Sequence, residues 1–169
     1  MQIIKSILLI SIFSLSTAIG LLISKTYENR VKELKEFKNI LNIMKSKMKF
    51  TYEPLGEIFR QIAKDNNTRV ENIFAHMANK MIFCRTKETW ESCIEDADIS
   101  INKEDKDILK KLGKLLGQTD IDGQISEIEV TQNLLDLQIE KAEEERRKNQ
   151  KMYKTLGVIV GLAFVIILV

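Results

Sequence analysis

The sequence is poor in the residues that most chemistry needs. It has one histidine in 169 residues, which limits acid–base and metal chemistry and excludes an HExxH zinc site. Its two cysteines, Cys84 and Cys93, stand nine apart, which is neither a CxxC motif nor the framework of a disulfide-stapled domain. One proline and seven glycines leave little turn chemistry. β-branched residues are not clustered either, which argues against a sandwich or barrel. An excess of one charge is also missing. The 26 Lys+Arg against 24 Asp+Glu give a net charge of +2, no electrostatic footprint for a nucleic-acid partner.

Apolar residues are concentrated at the two ends. Residues 6–24 read SILLISIFSLSTAIGLLIS, uncharged, with 12 of 19 apolar. As a helix this run spans about 28 Å, close to the hydrocarbon core of a bilayer, and Lys5 and Lys25 bracket it. Residues 155–169 read TLGVIVGLAFVIILV, with 12 of 15 apolar, and span about 22 Å as a helix. Met152 and Tyr153 extend that run, with Tyr153 at headgroup level and Lys154 snorkelling outward. Both are expected to be transmembrane segments. Ser16-Thr17-Ala18 offers an alternative as a signal-peptide cleavage site, but the apolar run continues through Ile19, Leu21, Leu22 and Ile23. The flanks agree on topology. Lys25, Arg30, Lys32, Lys35 and Lys38 follow the first run, and Lys141, Arg146, Arg147, Lys148, Lys151 and Lys154 precede the second. Positive flanks place residues 25–154 in the cytoplasm, where cysteines stay reduced.

The middle carries a helical period throughout. Leu34, Phe37, Leu41, Met44 and Met48 step by three and four. Pro54 marks a helix start, followed by Leu55, Ile58, Phe59 and Ile62, with a break at 65–67. Val70, Ile73, Phe74, Met77 and Met81 form the next face. Thr86 is expected to cap a short helix carrying Trp90, Cys93, Ile94 and Ala97, and Asn102 to cap one that buries Ile108, Leu109, Leu112, Leu115 and Leu116 and ends near Gly117. A last helix starts near Asp120 or Asp122 and carries Ile121, Ile125, Ile128, Leu135, Ile139 and Ala142, its stripe interrupted by Gln132. The expected fold is all-α, a bundle of about six helices whose first and last helices extend into the membrane. The organisation is a membrane helix at 1–24, a cytoplasmic bundle at 25–154 and a membrane segment at 155–169.

No reactive constellation assembles from these residues. His76 lies off its helix's apolar stripe and reads as a surface side chain, and Cys84 and Cys93 read as small packing residues. Asp120-Ile121-Asp122-Gly123 lacks most of a calcium loop, and the 113–117 run lacks the ending of a phosphate loop. The expectation is no catalytic residue, no metal and no cofactor, hence not an enzyme. Gly157 and Gly161, four apart on a membrane helix, instead let another helix approach closely. Gly20 and Ala18 could supply the opposing surface within the chain, and a homo-oligomer is the other use of the pair. Trp90, the one tryptophan, is the expected core anchor.

The ordered set of motifs resembles the stage III sporulation protein AB family of endospore-forming bacteria. The matching residues run from Gly20, Lys25, Tyr27 and Arg30 to Pro54-Leu55 and Ile62-Ala63-Lys64. They continue through Trp90-Glu91, Ile108-Leu109-Lys110, Leu112-Gly113, Leu116-Gly117-Gln118 and Asp120. They close with Glu143-Glu144-Glu145, Leu156-Gly157 and Gly161-Leu162. Lys45 and Lys47 depart from the more acidic face expected ahead of the proline. The resemblance implies a helical domain like that of the type II secretion platform protein. It also implies a place in the mother cell–forespore channel complex, at the outer forespore membrane and facing the mother-cell cytoplasm. The implied partner is a secretion-type ATPase, stage III sporulation protein AA, and no catalytic residues are implied. The competing readings are a two-anchored helical scaffold of another envelope secretion or division machine, and a secreted helical protein if Ala18 is a cleavage point.

Overall fold

The computed structural model describes residues 2–64 and 67–168. Six α-helices occur among them: α1 Gln2–Phe50, α2 Leu55–Ile62, α3 Arg69–Lys80, α4 Thr86–Glu95, α5 Lys103–Gly113 and α6 Ile121–Leu168. The fold is all-α, with long, apolar first and last helices, as the periodicity predicts. Of the expected break at 65–67, Asp65 and Asn66 lie outside the described residues. The chain forms two compact units, one of Met1–Val31 with Lys141–Val169 and one of Lys32–Glu140. Helices α1 and α6 contribute to both.

The Lys32–Glu140 unit is built on the apolar stripe of α1. Leu34, Phe37, Leu41, Met44 and Met48 are all buried. Residues three and four apart share one helix face, so this spacing commits one side of α1 to the core. Within the unit α6 runs antiparallel to α1: Lys38 meets Asp136 at 2.5 Å and Lys45 meets Glu129 at 3.4 Å. Helix α2 packs on α3, α3 on α4 and α4 on α5. Their junction is aromatic. Phe74 stands 5.5 Å from Phe59 and 5.8 Å from Trp90, edge to face in both cases, and 6.3 Å from Phe37. Trp90 is fully buried, and its indole Nε1–H donates to the Leu109 carbonyl oxygen at 2.7 Å. Gly113 permits this: a Cβ there would stand 2.6 Å from Trp90 Cγ.

The helix starts show both agreement and correction. Asn102 caps α5 in a reciprocal box with Asp105, as expected from the sequence, and Thr68 caps α3 in an equivalent box with Glu71. Pro54 occupies the cap position of α2, its carbonyl accepting from the Glu57 and Ile58 N–H groups. The expected Thr86 cap is not formed. Arg85 holds the cap position with extended backbone and accepts from the Thr89 N–H, so Thr86 is already helical. Helix α4 closes at Glu95, leaving Ala97 beyond it. Helix α5 ends at Gly113, earlier than the leucine spacing suggests. The chain then turns tightly, and Gly117 adopts φ +74°, where a side chain would be strained. Leu116 stays buried through this turn, but Leu115 swings outward and is 39% exposed. Gln124 fixes the turn, its Oε1 accepting from the Gly117 N–H and its Nε2 donating to the Thr119 carbonyl. Asp120 starts α6 by accepting the Gly123 N–H through Oδ1. The buried face of α6 includes Gln124, Thr131, Gln132 and Gln138, so polar residues interrupt it well beyond Gln132.

Two carboxylates, Glu33 buried and Glu36 half-buried, tie α1 to the ends of shorter elements. Glu33 Oε2 accepts from the Ser100 N–H at 2.5 Å, and Oε1 lies 3.1 Å from Arg69 Nη2. Glu36 accepts from the Thr68 hydroxyl. Burial raises both pKa values; the Ser100 N–H and Arg69 pull Glu33 partly back, and the Thr68 hydroxyl does so for Glu36.

Two outcomes follow for the detergent-purified chain. Trp90→Ala should lower unfolding free energy by about 3–5 kcal/mol, the cost of an emptied aromatic core site; an unchanged melt would contradict its role as an anchor. The raised carboxylates set a pH dependence. The destabilising effect of their burial is full above the folded pKa and vanishes below the unfolded value of about 4.3, so their contribution to stability improves as pH falls through that window. Lowering the pH from 7.5 toward about 4.3 should therefore improve the melting of the natural chain relative to that of Glu33→Gln, and identical slopes in both chains would refute it.

Candidate functional site

The unit formed by Met1–Val31 and Lys141–Val169 is a pair of antiparallel helices. Both α1 and α6 contain windows long and apolar enough to cross a membrane, and only 11% of each window is buried. The core helix of a water-soluble domain would be mostly covered, so the exposed apolar surface suits lipid.

The pair is held at very short range. Ser16 Oγ donates to the Gly157 carbonyl at 2.8 Å. A Cβ on Gly20 would stand 2.6 Å from the Tyr153 carbonyl oxygen and 2.9 Å from Gly157 Cα. A Cβ on Gly157 would stand 3.0 Å from the Ser16 carbonyl oxygen, and one on Gly161 3.0 Å from the Phe13 ring. Gly20, Gly157 and Gly161 therefore lie together along one seam where backbone meets backbone. Ala18 is not part of it and is exposed. Two residues from Gly20 is about 200° around a helix, whereas Ser16, four residues away, shares its face.

Beyond the glycines the contacts become polar. The Tyr27 and Tyr153 rings stack at 5.8 Å with a 16° interplanar angle. Arg30, its side chain 7% exposed, pairs with Glu145 Oε2 at 2.6 Å, and Gln150 Nε2 donates to Glu28 at 3.3 Å. Ser16, the tyrosine pair and Arg30 went unremarked as helix contacts in the sequence. Spacing from Gly20 gives Ser16 once the seam is known, but pairing across more than 100 residues leaves no local pattern.

The remaining candidates lie in the Lys32–Glu140 unit and are not brought together. Trp90 sits in the aromatic core. His76 is exposed, beside a depression of about 470 Å³ that Arg69, Lys80, Cys93 and Asp98 also line. Cys93 is buried, which raises its thiol pKa and disfavours the reactive thiolate. Cys84 is exposed, correcting the expectation that it packs inside; it follows the end of α3 in a turn. Among the described residues no three His, Cys, Asp or Glu side chains gather as metal ligands. The sequence stripes also gave no sign of two sets of exposed apolar side chains. Val130, Leu134 and Leu137 share one face of α6, while Phe50 ends α1 and Tyr52, Ile82 and Phe83 stand between helices. Tyr52 has φ +53°, uncommon for a bulky residue.

The family model for stage III sporulation protein AB matches residues 5–169. The chain belongs to the stage III sporulation protein AB family. It is 26% identical over 157 residues to the stage III sporulation protein AB of Bacillus subtilis (strain 168), covering 90% of this chain and 92% of that one. A solved structure of stage III sporulation protein AB superposes with a TM-score of 0.66 at 21% identity, over 71% of this chain and 98% of that one, and shares the fold. Membership of the stage III sporulation protein AB family makes this a sporulation protein, and its two apolar helices point to membrane association.

The glycine seam is directly testable. With Cys84 and Cys93 changed to serine, Tyr27→Cys/Tyr153→Cys should crosslink on oxidation. Adding Gly157→Leu/Gly161→Leu should abolish the crosslink by forcing the backbones apart. Undiminished crosslinking would show that the glycines do not set the approach.

Proposed function

We propose that this protein is a membrane-anchored assembly component of the mother cell–forespore channel, with no turnover chemistry of its own. In this reading residues 1–24 and 155–169 span the outer forespore membrane, and 25–154 face the mother-cell cytoplasm. The helical unit there acts like a type II secretion platform domain and meets the secretion-type ATPase, stage III sporulation protein AA. One observation carries the assembly role: Val130, Leu134 and Leu137 stand exposed on α6 in the Lys32–Glu140 unit. An exposed apolar row on a water-facing helix is a surface for a protein partner. The positive flanks of both apolar runs support the orientation. Family membership supports the setting.

Complementation of a sporulation-defective strain tests the proposal, with protein levels measured in parallel. Val130→Ser/Leu134→Ser/Leu137→Ser should block sporulation and co-purification of the ATPase at normal abundance, whereas His76→Ala should sporulate normally. A sporulating triple variant would remove this surface from the assembly role, and loss in His76→Ala would reveal chemistry. Orientation has its own reporter, because Cys84 is exposed and Cys93 buried. An impermeant thiol reagent should leave Cys84 unlabelled in intact cells and label it after detergent permeabilisation. Labelling of intact cells would reverse the topology.

A further inference from the structure

The cations around the helix pair fall into two groups. Arg30 is closed on Glu145, and Lys148 on Glu144 at 2.7 Å. Lys25, Lys151 and Lys154 are exposed and have no carboxylate within ion-pair distance among the described residues. Arg147 is also exposed; it feels the charge of Glu144, whose oxygen is already taken by Lys148. Sequence explains the imbalance. Helix α6 has no acidic residue after Glu145, and α1 has none before Glu28.

Arg147, Lys151 and Lys154 are spaced four and three apart, so they form one row on α6. The row covers about 10 Å of helix axis. The headgroup region of one leaflet is roughly 5–8 Å thick, so a row of this length, with flexible side chains, reaches across all of it. Lys154 adjoins the uncharged run that starts at Thr155, and the stacked Tyr27 and Tyr153 lie at the same level of the pair. Aromatic side chains of this kind settle at the headgroup boundary. The row therefore sits where lipid phosphates are; Lys151 and Lys154 have no carboxylate in ion-pair range among the described residues, and Arg147 shares Glu144 with Lys148.

We infer that Arg147, Lys151 and Lys154, with Lys25 beside the other span, form a binding surface for the headgroups of anionic phospholipids. This rests on the reading of α1 and α6 as membrane-spanning. The buried Arg30 ties α1 to α6 through Glu145, and the exposed row fastens the pair to negatively charged lipid. The competing explanation is that these charges only direct insertion. In that case they have no preference among lipids once the chain is in place.

The test uses the full chain, purified in mild detergent and stripped of native lipid. It is titrated with phosphatidylglycerol or with phosphatidylcholine of the same acyl chains, and bound lipids are counted by native mass spectrometry. The natural chain should retain at least about ten-fold more phosphatidylglycerol, the scale expected of several basic side chains at an anionic surface. Arg147→Gln/Lys151→Gln/Lys154→Gln should bring the two lipids to parity. Lys103→Gln/Lys111→Gln/Lys114→Gln, which removes three exposed charges in the other unit, should keep the preference. Parity on the natural chain, or a preference that survives the row's removal, would overturn the inference. If the row variant loses helicity, Lys151→Gln alone should show a partial loss, and the comparison on the natural chain still decides. Alkaline carbonate extraction separates the underlying reading: release of the natural chain from membranes would overturn the spanning assignment, whatever the lipid counts.

Discussion

The antiparallel match of α1 with α6 is the constraint on which both units depend, and each unit meets it by different physics. In Lys32–Glu140 the helices have apolar faces to remove from water: Leu34, Phe37 and Leu41 on α1, Ile128 and Leu135 on α6. Burial drives that association, while Lys38–Asp136 and Lys45–Glu129 sit at its edge and set alignment more than strength. In lipid no such drive exists, because a neighbouring acyl chain is as apolar as leucine. The membrane pair relies instead on backbone proximity at Gly20, Gly157 and Gly161 and on the Ser16 hydroxyl. Bulky side chains make the first contact and would destroy the second.

Buried charge in this protein serves position. Glu33 and Glu36 leave water at a cost, as their raised pKa values show. In return they fix α1 against Ser100 and against Thr68 and Arg69 at the start of α3. Arg30 plays the same part in the other unit. Such pairs add little net stability, but removing one partner strands the other. The specification they provide is geometric: which turn of α1 lies beside which helix start.

What could be read in advance was whatever repeats locally. The apolar stripe of α1 and the Asn102 cap each follow from residues within a turn or two of one another. The same method failed where a distant group decides. Helix α5 stops at Gly113 although its leucines continue, because Gln124, from the next helix, holds the Gly117 turn. Thr86 lost the cap to Arg85 although its side chain is the better acceptor. The glycine seam was half legible. Gly157 and Gly161 announced a close approach, but Ser16 and Phe13, which meet them, are ordinary residues until the opposing helix is in place. Cys84 was misjudged because apolar character in the sequence says nothing of which residues a turn leaves outside.

Ser16 and Gly157 are 141 residues apart, and that separation has a consequence for biosynthesis. At a translation rate of 5–20 residues per second, Gly157 follows Ser16 out of the ribosome by roughly 7–28 s. On the proposed spanning assignment, the Gly20 face of α1 waits in the bilayer through that interval without its mate, open to any other helix with a small-residue seam. Correct pairing is therefore a competition in time as well as in affinity, and the newborn chain is most vulnerable to a wrong neighbour before its own last helix exists.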